Sequence, residues 1–100
     1  MSNDVSLNSN ILQNPKIKKL SRQFGPLGPL SFIALILWAA AYRADGDLVG
    51  MDADDIEIAI DWPLDPGAFS DALIDLHLLD ETEPKHYVIH DWVATTQAQK

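Results

Sequence analysis

The chain has no cysteine, and between Ala44 and Pro84 it has no lysine or arginine. The first absence excludes disulfides and thiolate-ligated zinc, and it makes a reducing cytoplasm the simplest compartment. The second is more telling, because the same stretch holds thirteen of the fifteen acidic residues. Proteins grip DNA mainly by bringing cations to its phosphates, so a helix from this stretch laid against a duplex would be repelled at every contact. A long apolar run is also missing. Leu30–Tyr42 is thirteen residues, mostly apolar, whereas a spanning helix needs about 20; it reads as a buried core helix. Met1 is followed by polar residues rather than by the basic, apolar and small-residue order of a signal peptide, and the expectation is a soluble cytoplasmic protein. No Gly-rich phosphate loop, no Cys nucleophile and no Ser-His-Asp order with a recognisable elbow is present. The expectation is a protein that is not an enzyme and uses no cofactor.

What remains is one small domain. One hundred residues, 47% of them hydrophobic, suffice for a single core of three or four helices and a hairpin. Residues 1–13 are Ser- and Asn-rich and read as a flexible arm. Asn14-Pro15 starts a helix, with Asn as the cap and Pro at the first helical position. Ile17, Leu20 and Phe24 form its inner face. Gly25-Pro26-Leu27-Gly28-Pro29 reads as the stop and turn before a second helix from Leu30 to about Ala44, apolar nearly all round as a helix among neighbours must be. Leu48-Val49-Gly50 has room for a short strand only. Asp52 caps a third helix ending at Trp62-Pro63, with Ile56, Ala59 and Ile60 on its core face. Asp65-Pro66 opens a fourth, with Phe69, Ala72, Leu73 and Leu76 inward and Ser70, Asp71 and Asp75 outward. A β-hairpin follows, from Leu78 through a turn at Thr82–Lys85 to Asp91, and residues 95–100 form a polar tail. Helix, long helix, short strand, two short helices and hairpin is the winged helix-turn-helix order: mainly α with a small β-hairpin, spanning residues 14–94.

Two charged surfaces follow from this layout. Lys16, Lys18, Lys19 and Arg22 cluster on the first helix. With Arg43, and with Lys85 at the hairpin tip, they are the candidates for contact with DNA phosphates. Such a patch positions a protein without reading sequence, so the DNA binding expected of it is weak and non-specific. Asp54, Asp55, Glu57, Asp71 and Asp75 form the alternative, an acidic face that docks a basic protein. A homodimer through apolar surface near Leu27 or Trp62 is a third possibility. The metal readings fail on geometry. In a strand, His86 and His90 lie about 13 Å apart, too far to share an ion. A calcium loop begun at Asp45 would put Val49 and Ile56 where oxygen ligands belong. His90 and Asp91 are better read as hydrogen-bonding at the hairpin base, with Trp92 packed on the helices as a clasp.

Asn14-Pro15-Lys16 near the start, Ala72-Leu73 and Leu78-Leu79 in the middle, and Ile89-His90-Asp91-Trp92 near the end, with Gln97 beyond, form a familiar set. In these the chain resembles the winged-helix domain at the N-terminus of phage and prophage replication proteins, over roughly residues 13–97. The resemblance implies a role in phage DNA replication or its control, with DNA and a basic replication or host protein as the partners to expect. Two positions depart from the family pattern. His77 stands where Gly often precedes the last Leu pair, and the helix from Pro66 to about Leu76 has no basic residue.

Overall fold

The computed structural model describes residues 13–43 and 45–90. The expected arm, the tail and the Asp91–Trp92 clasp lie outside those residues, apart from Gln13. The first helix, α1 (Pro15–Phe24), starts as its sequence asks: Asn14 Oδ1 accepts from the Lys16 N–H at 2.8 Å. Ile17 and Leu20 are buried, and Gly25 at φ 69° ends the helix. The second, α2 (Leu27–Tyr42), begins three residues earlier than the prolines suggest. Pro29 falls in its first turn, where a missing N–H costs nothing. Gly28 permits the sharp reversal, since a Cβ there would lie 2.6 Å from the Leu20 carbonyl oxygen. Phe32, Leu35, Ile36 and Ala39 carry α2 through the core.

The strand expected at Leu48-Val49-Gly50 is reduced to one bridge, Asp47 to Val88. The Leu48 N–H bonds to the Tyr87 carbonyl at 2.9 Å and the Ile89 N–H to the Gly46 carbonyl at 2.9 Å. The chain then turns away at once. Gly50 has φ 85°, and the Met51 N–H returns to the Leu48 carbonyl.

Asp52 caps α3 (Ala53–Ala59) with a full capping box: its side chain accepts from the Asp55 N–H, and the Asp55 side chain accepts from the Asp52 N–H. The helix stops at Ala59, short of Trp62-Pro63. Asp61 takes φ 57°, its N–H bonds to the Ile58 carbonyl, and the Trp62 N–H bonds to the Glu57 carbonyl. That pair of bonds is a Schellman ending. The same ending closes α4 (Ala68–Asp75): His77 has φ 59°, its N–H meets the Ile74 carbonyl, and the Leu78 N–H meets the Leu73 carbonyl. His77 therefore occupies the left-handed position that favours glycine.

Two expectations about α4 are corrected. Asp65-Pro66 lies in the turn before the helix, and the N-cap is Gly67 at φ 87°. Ser70 does not point outward but is fully buried.

The hairpin joins β1 (Leu79–Glu83) to β2 (His86–Ile89), pairing Leu79 with Ile89, Asp80 with Val88 and Glu81 with Tyr87. Thr82 is the extra residue of a bulge before Glu83 pairs with His86. Leu79, Tyr87 and Ile89 face the core with Leu20, Leu48, Ile56, Phe69 and Leu73. The architecture among the described residues is thus mainly helical with one antiparallel hairpin. No helix there is long and apolar enough to cross a membrane.

Candidate functional site

The six expected DNA-contacting cations do not form one surface. Lys18, Lys19 and Arg22 are exposed on α1 at positions i, i+1 and i+4, so they share one side of the helix. Lys16 is half-buried, and its Nζ donates to the His77 carbonyl at 3.2 Å, placing a cation at the C-terminal end of α4, where the helix dipole favours it. Arg43 Nη1 donates to the Val49 carbonyl at 2.7 Å, bracing the turn after the Asp47 bridge. Lys85 is exposed at the hairpin tip with φ 64°, and its N–H is held by Glu81 Oε2 at 3.0 Å. Three cations on one face are few for gripping a duplex, since each phosphate neutralised contributes separately to affinity.

The acidic candidates divide differently. Asp54 and Asp55 are exposed on α3, with Asp55 engaged in the capping box; Asp71 and Asp75 are exposed one turn apart on α4. Glu57 is the correction. It is only 4% exposed and cannot belong to a docking face. Its Oε1 accepts from the Gly67 N–H at 2.8 Å, and its Oε2 accepts from the Ser70 N–H at 3.0 Å and the Ser70 hydroxyl at 3.2 Å. Gly67 is the N-cap of α4 and has no side chain, so a carboxyl group reaching across from α3 takes both donors that a capping box would satisfy.

Exposed apolar surface lies beside Trp62, as the sequence suggested, and adjoins Asp54 of the acidic face. Ile58 is 64% exposed and Leu64 49%. They line a cleft of about 350 Å³ with Asp54, Asp61, Trp62 and Pro66. The cleft wall is fixed from behind: the Trp62 ring stacks on Phe69 with centroids 4.7 Å apart and meets Phe24 edge-on at 5.0 Å. The indole N–H donates to the Asp65 carbonyl at 3.1 Å. Trp62 and Leu27, the expected dimer surface, are both half-buried; the large exposed apolar residues outside the cleft are Leu30, Leu37, Tyr42 and Val49.

The histidines of β2 and its end are structural. His86 Nε2 lies 2.7 Å from Asp47 Oδ1, and His90 Nδ1 lies 2.7 Å from Asp80 Oδ2 at the hairpin base. The His86 hydrogen bond, helped by the Val49 N–H and by Arg43, holds the Asp47 carboxyl below its usual range against the opposing effect of burial. Burial raises the Tyr87 hydroxyl, and the charges of Glu81, Asp52 and Asp71 add to it. Among the described residues no group of three His, Asp or Glu side chains converges to hold a metal ion.

Compared with protein-family models, with curated proteins and with solved structures, the chain finds no match. A functional reading therefore rests on the chemistry of its two charged surfaces.

Proposed function

We propose that this is a non-catalytic docking module of winged-helix type, whose α3–α4 surface presents carboxylates to a basic protein segment. The observation that carries this reading is the outer face of α3 and α4. Its charged side chains are Asp54, Asp55, Asp71 and Asp75, with no cation between residues 45 and 84 to offset them. The winged-helix assignment is supported by the element order and by Asp47, which bridges β2 from the side opposite β1 as the first strand of such a fold would. In that fold α4 is the helix offered to the major groove. Here it would carry Asp to phosphate, which favours a protein partner over a duplex. The resemblance to phage replication domains suggests a replication or host protein as that partner.

A second reading keeps DNA. Lys18, Lys19 and Arg22, exposed together on α1, favour weak contact with phosphates without base recognition.

One pair of titrations separates the two. Labelled random-sequence duplex and labelled oligolysine are each followed by fluorescence anisotropy at low and physiological salt. The docking reading expects oligolysine to bind at low salt and to lose affinity when Asp54, Asp71 and Asp75 are changed to Lys. Micromolar duplex binding at physiological salt, lost when Lys18, Lys19 and Arg22 are changed to Ala, would overturn it in favour of DNA.

A further inference from the structure

Beside Asp54 of the acidic face lies an apolar cleft, and it narrows the class of partner. Asp54 and Ile58 stand one turn apart on α3, so they fall on one side, and the turn that ends the helix brings Asp61 to the same cleft. Ile58 and Leu64 leave apolar surface in water in the cleft that Trp62 also lines. Scattered exposed apolar residues need no explanation, but these two line a single cleft with acids at its rim.

Three properties suit the cleft to an anchor side chain. Its volume of about 350 Å³ is at the small end for ligand pockets, room for one or two side chains rather than an extended ligand. Its wall is pre-formed, because Trp62 is clamped between Phe24 and Phe69 and tied to the Asp65 carbonyl; little ordering remains to be done on binding. Its rim carries one sign of charge.

Asp61 is the residue least expected on local grounds. It occupies a left-handed position at φ 57°, where glycine would be relaxed, and it places a negative charge at the negative end of α3.

We infer that the Ile58–Leu64 cleft takes an aliphatic anchor from a basic amphipathic helix, with a Lys or Arg on each side of the anchor meeting Asp54 and Asp61. The partner motif is an apolar residue with a cation on each side of it on one helix face, the helix-in-groove mode of recognition. This rests on the docking reading above and adds the anchor to it.

The experiment uses the full chain, isotopically labelled, and two probe peptides of equal charge. One is a short Ala-based helix with a Leu one turn from a Lys on either side; the other has Ser in place of the Leu. Two-dimensional amide spectra follow each titration. The expected result is about tenfold tighter binding of the Leu peptide, equal to about 1.4 kcal/mol, with shifts at Ile58, Leu64 and the Trp62 indole N–H. Ile58→Ser and Leu64→Ser should each erase most of that advantage while leaving the Ser peptide unaffected. Both side chains are exposed, so the variants should fold, and the same spectra report it. Equal affinity for the two peptides would overturn the anchor and leave acidic docking standing. Binding of neither peptide at low salt would overturn both. Shifts at Leu30 and Leu37 instead would place the apolar contact on α2 and overturn the assignment of the cleft.

Discussion

Replacing Glu57 by Ala should be among the most damaging single changes in this chain. The side chain is 4% exposed and accepts from two backbone N–H groups and one hydroxyl, two of the three on Ser70, which is fully buried. Truncation strands the Ser70 N–H without an acceptor, a loss of about 1–3 kcal/mol for a buried donor. The Gly67 N–H is nearer water and recovers part of its bond, so its loss is closer to the ~1 kcal/mol of an ordinary N-cap. The Ser70 hydroxyl keeps the Ala53 carbonyl at 3.3 Å and adds little. The expected destabilisation is about 3 kcal/mol, a large part of the roughly 5–15 kcal/mol that holds a small domain folded. In a domain of this size that lowers Tm by roughly 12–24 °C. Glu57→Gln keeps one acceptor but turns an amide NH₂ toward a donor, so it should fall between wild type and Ala. Urea unfolding followed by tryptophan fluorescence measures the difference, and the slope with urea should be unchanged. A cycle with Ser70→Ala should show little coupling, because that variant removes only the hydroxyl and leaves the Ser70 N–H that Glu57 caps. If Glu57→Ala cost under about 1 kcal/mol, the cross-helix cap would not be what holds α4.

Other outcomes follow from single positions. His77→Gly should stabilise by about 0.5–1 kcal/mol, the relief of a left-handed non-glycine residue less the extra freedom of the unfolded chain; an unchanged urea midpoint would refute it. Asp61→Gly should raise the midpoint similarly and at the same time weaken capture of a basic peptide, so that stability and binding move in opposite directions. Gly28→Ala should destabilise by about 1–3 kcal/mol, because the new methyl meets the backbone oxygen of Leu20 rather than a movable side chain; thermal melting checks it. The Asp47 carboxyl is held below its ordinary value of 3.8. The stability it contributes is therefore fully present above that value and is lost as pH falls through the lowered one. The difference in stability between wild type and Asp47→Asn should be flat near neutrality and shrink only in that acid range.

Local signals were legible where one residue and its near neighbours decide the structure. Asn14-Pro15 and Asp52 mark helix starts because a cap bonds within its own first turn. The hairpin shows in its alternation, with Tyr87 and Ile89 inward. The start of α2 was misread because proline is a stop inside a helix but neutral in its first turn. The cap of α4 was misread because its acceptor lies ten residues away, on another helix. A trace of it is nevertheless present: Ala53, Glu57 and Ile60 follow helical spacing, so Glu57 falls on the inner stripe, and a helix opening at Gly67 without a capping side chain needs an acceptor from elsewhere. Of the acidic candidates, Asp54, Asp55, Asp71 and Asp75 are on the surface as their positions outside the apolar stripes imply. The cleft was not legible, because Ile58 is one apolar residue on a polar face and Leu64 lies in a turn; only folding brings them together.

The outer edge of β1 has a consequence for how copies of this chain meet. Among the described residues its backbone has no ladder partner on that side, and an open strand edge is a template for another strand. Glu81, Thr82 and Glu83 are exposed along it. A second copy adding itself antiparallel would bring carboxylate against carboxylate across the new pair, an arrangement that repels. Pro84 follows directly, and the Thr82 bulge twists the strand just where the ladder would extend. The acidity of this strand thus guards it against edge-to-edge aggregation, with no element among the described residues having to cover it.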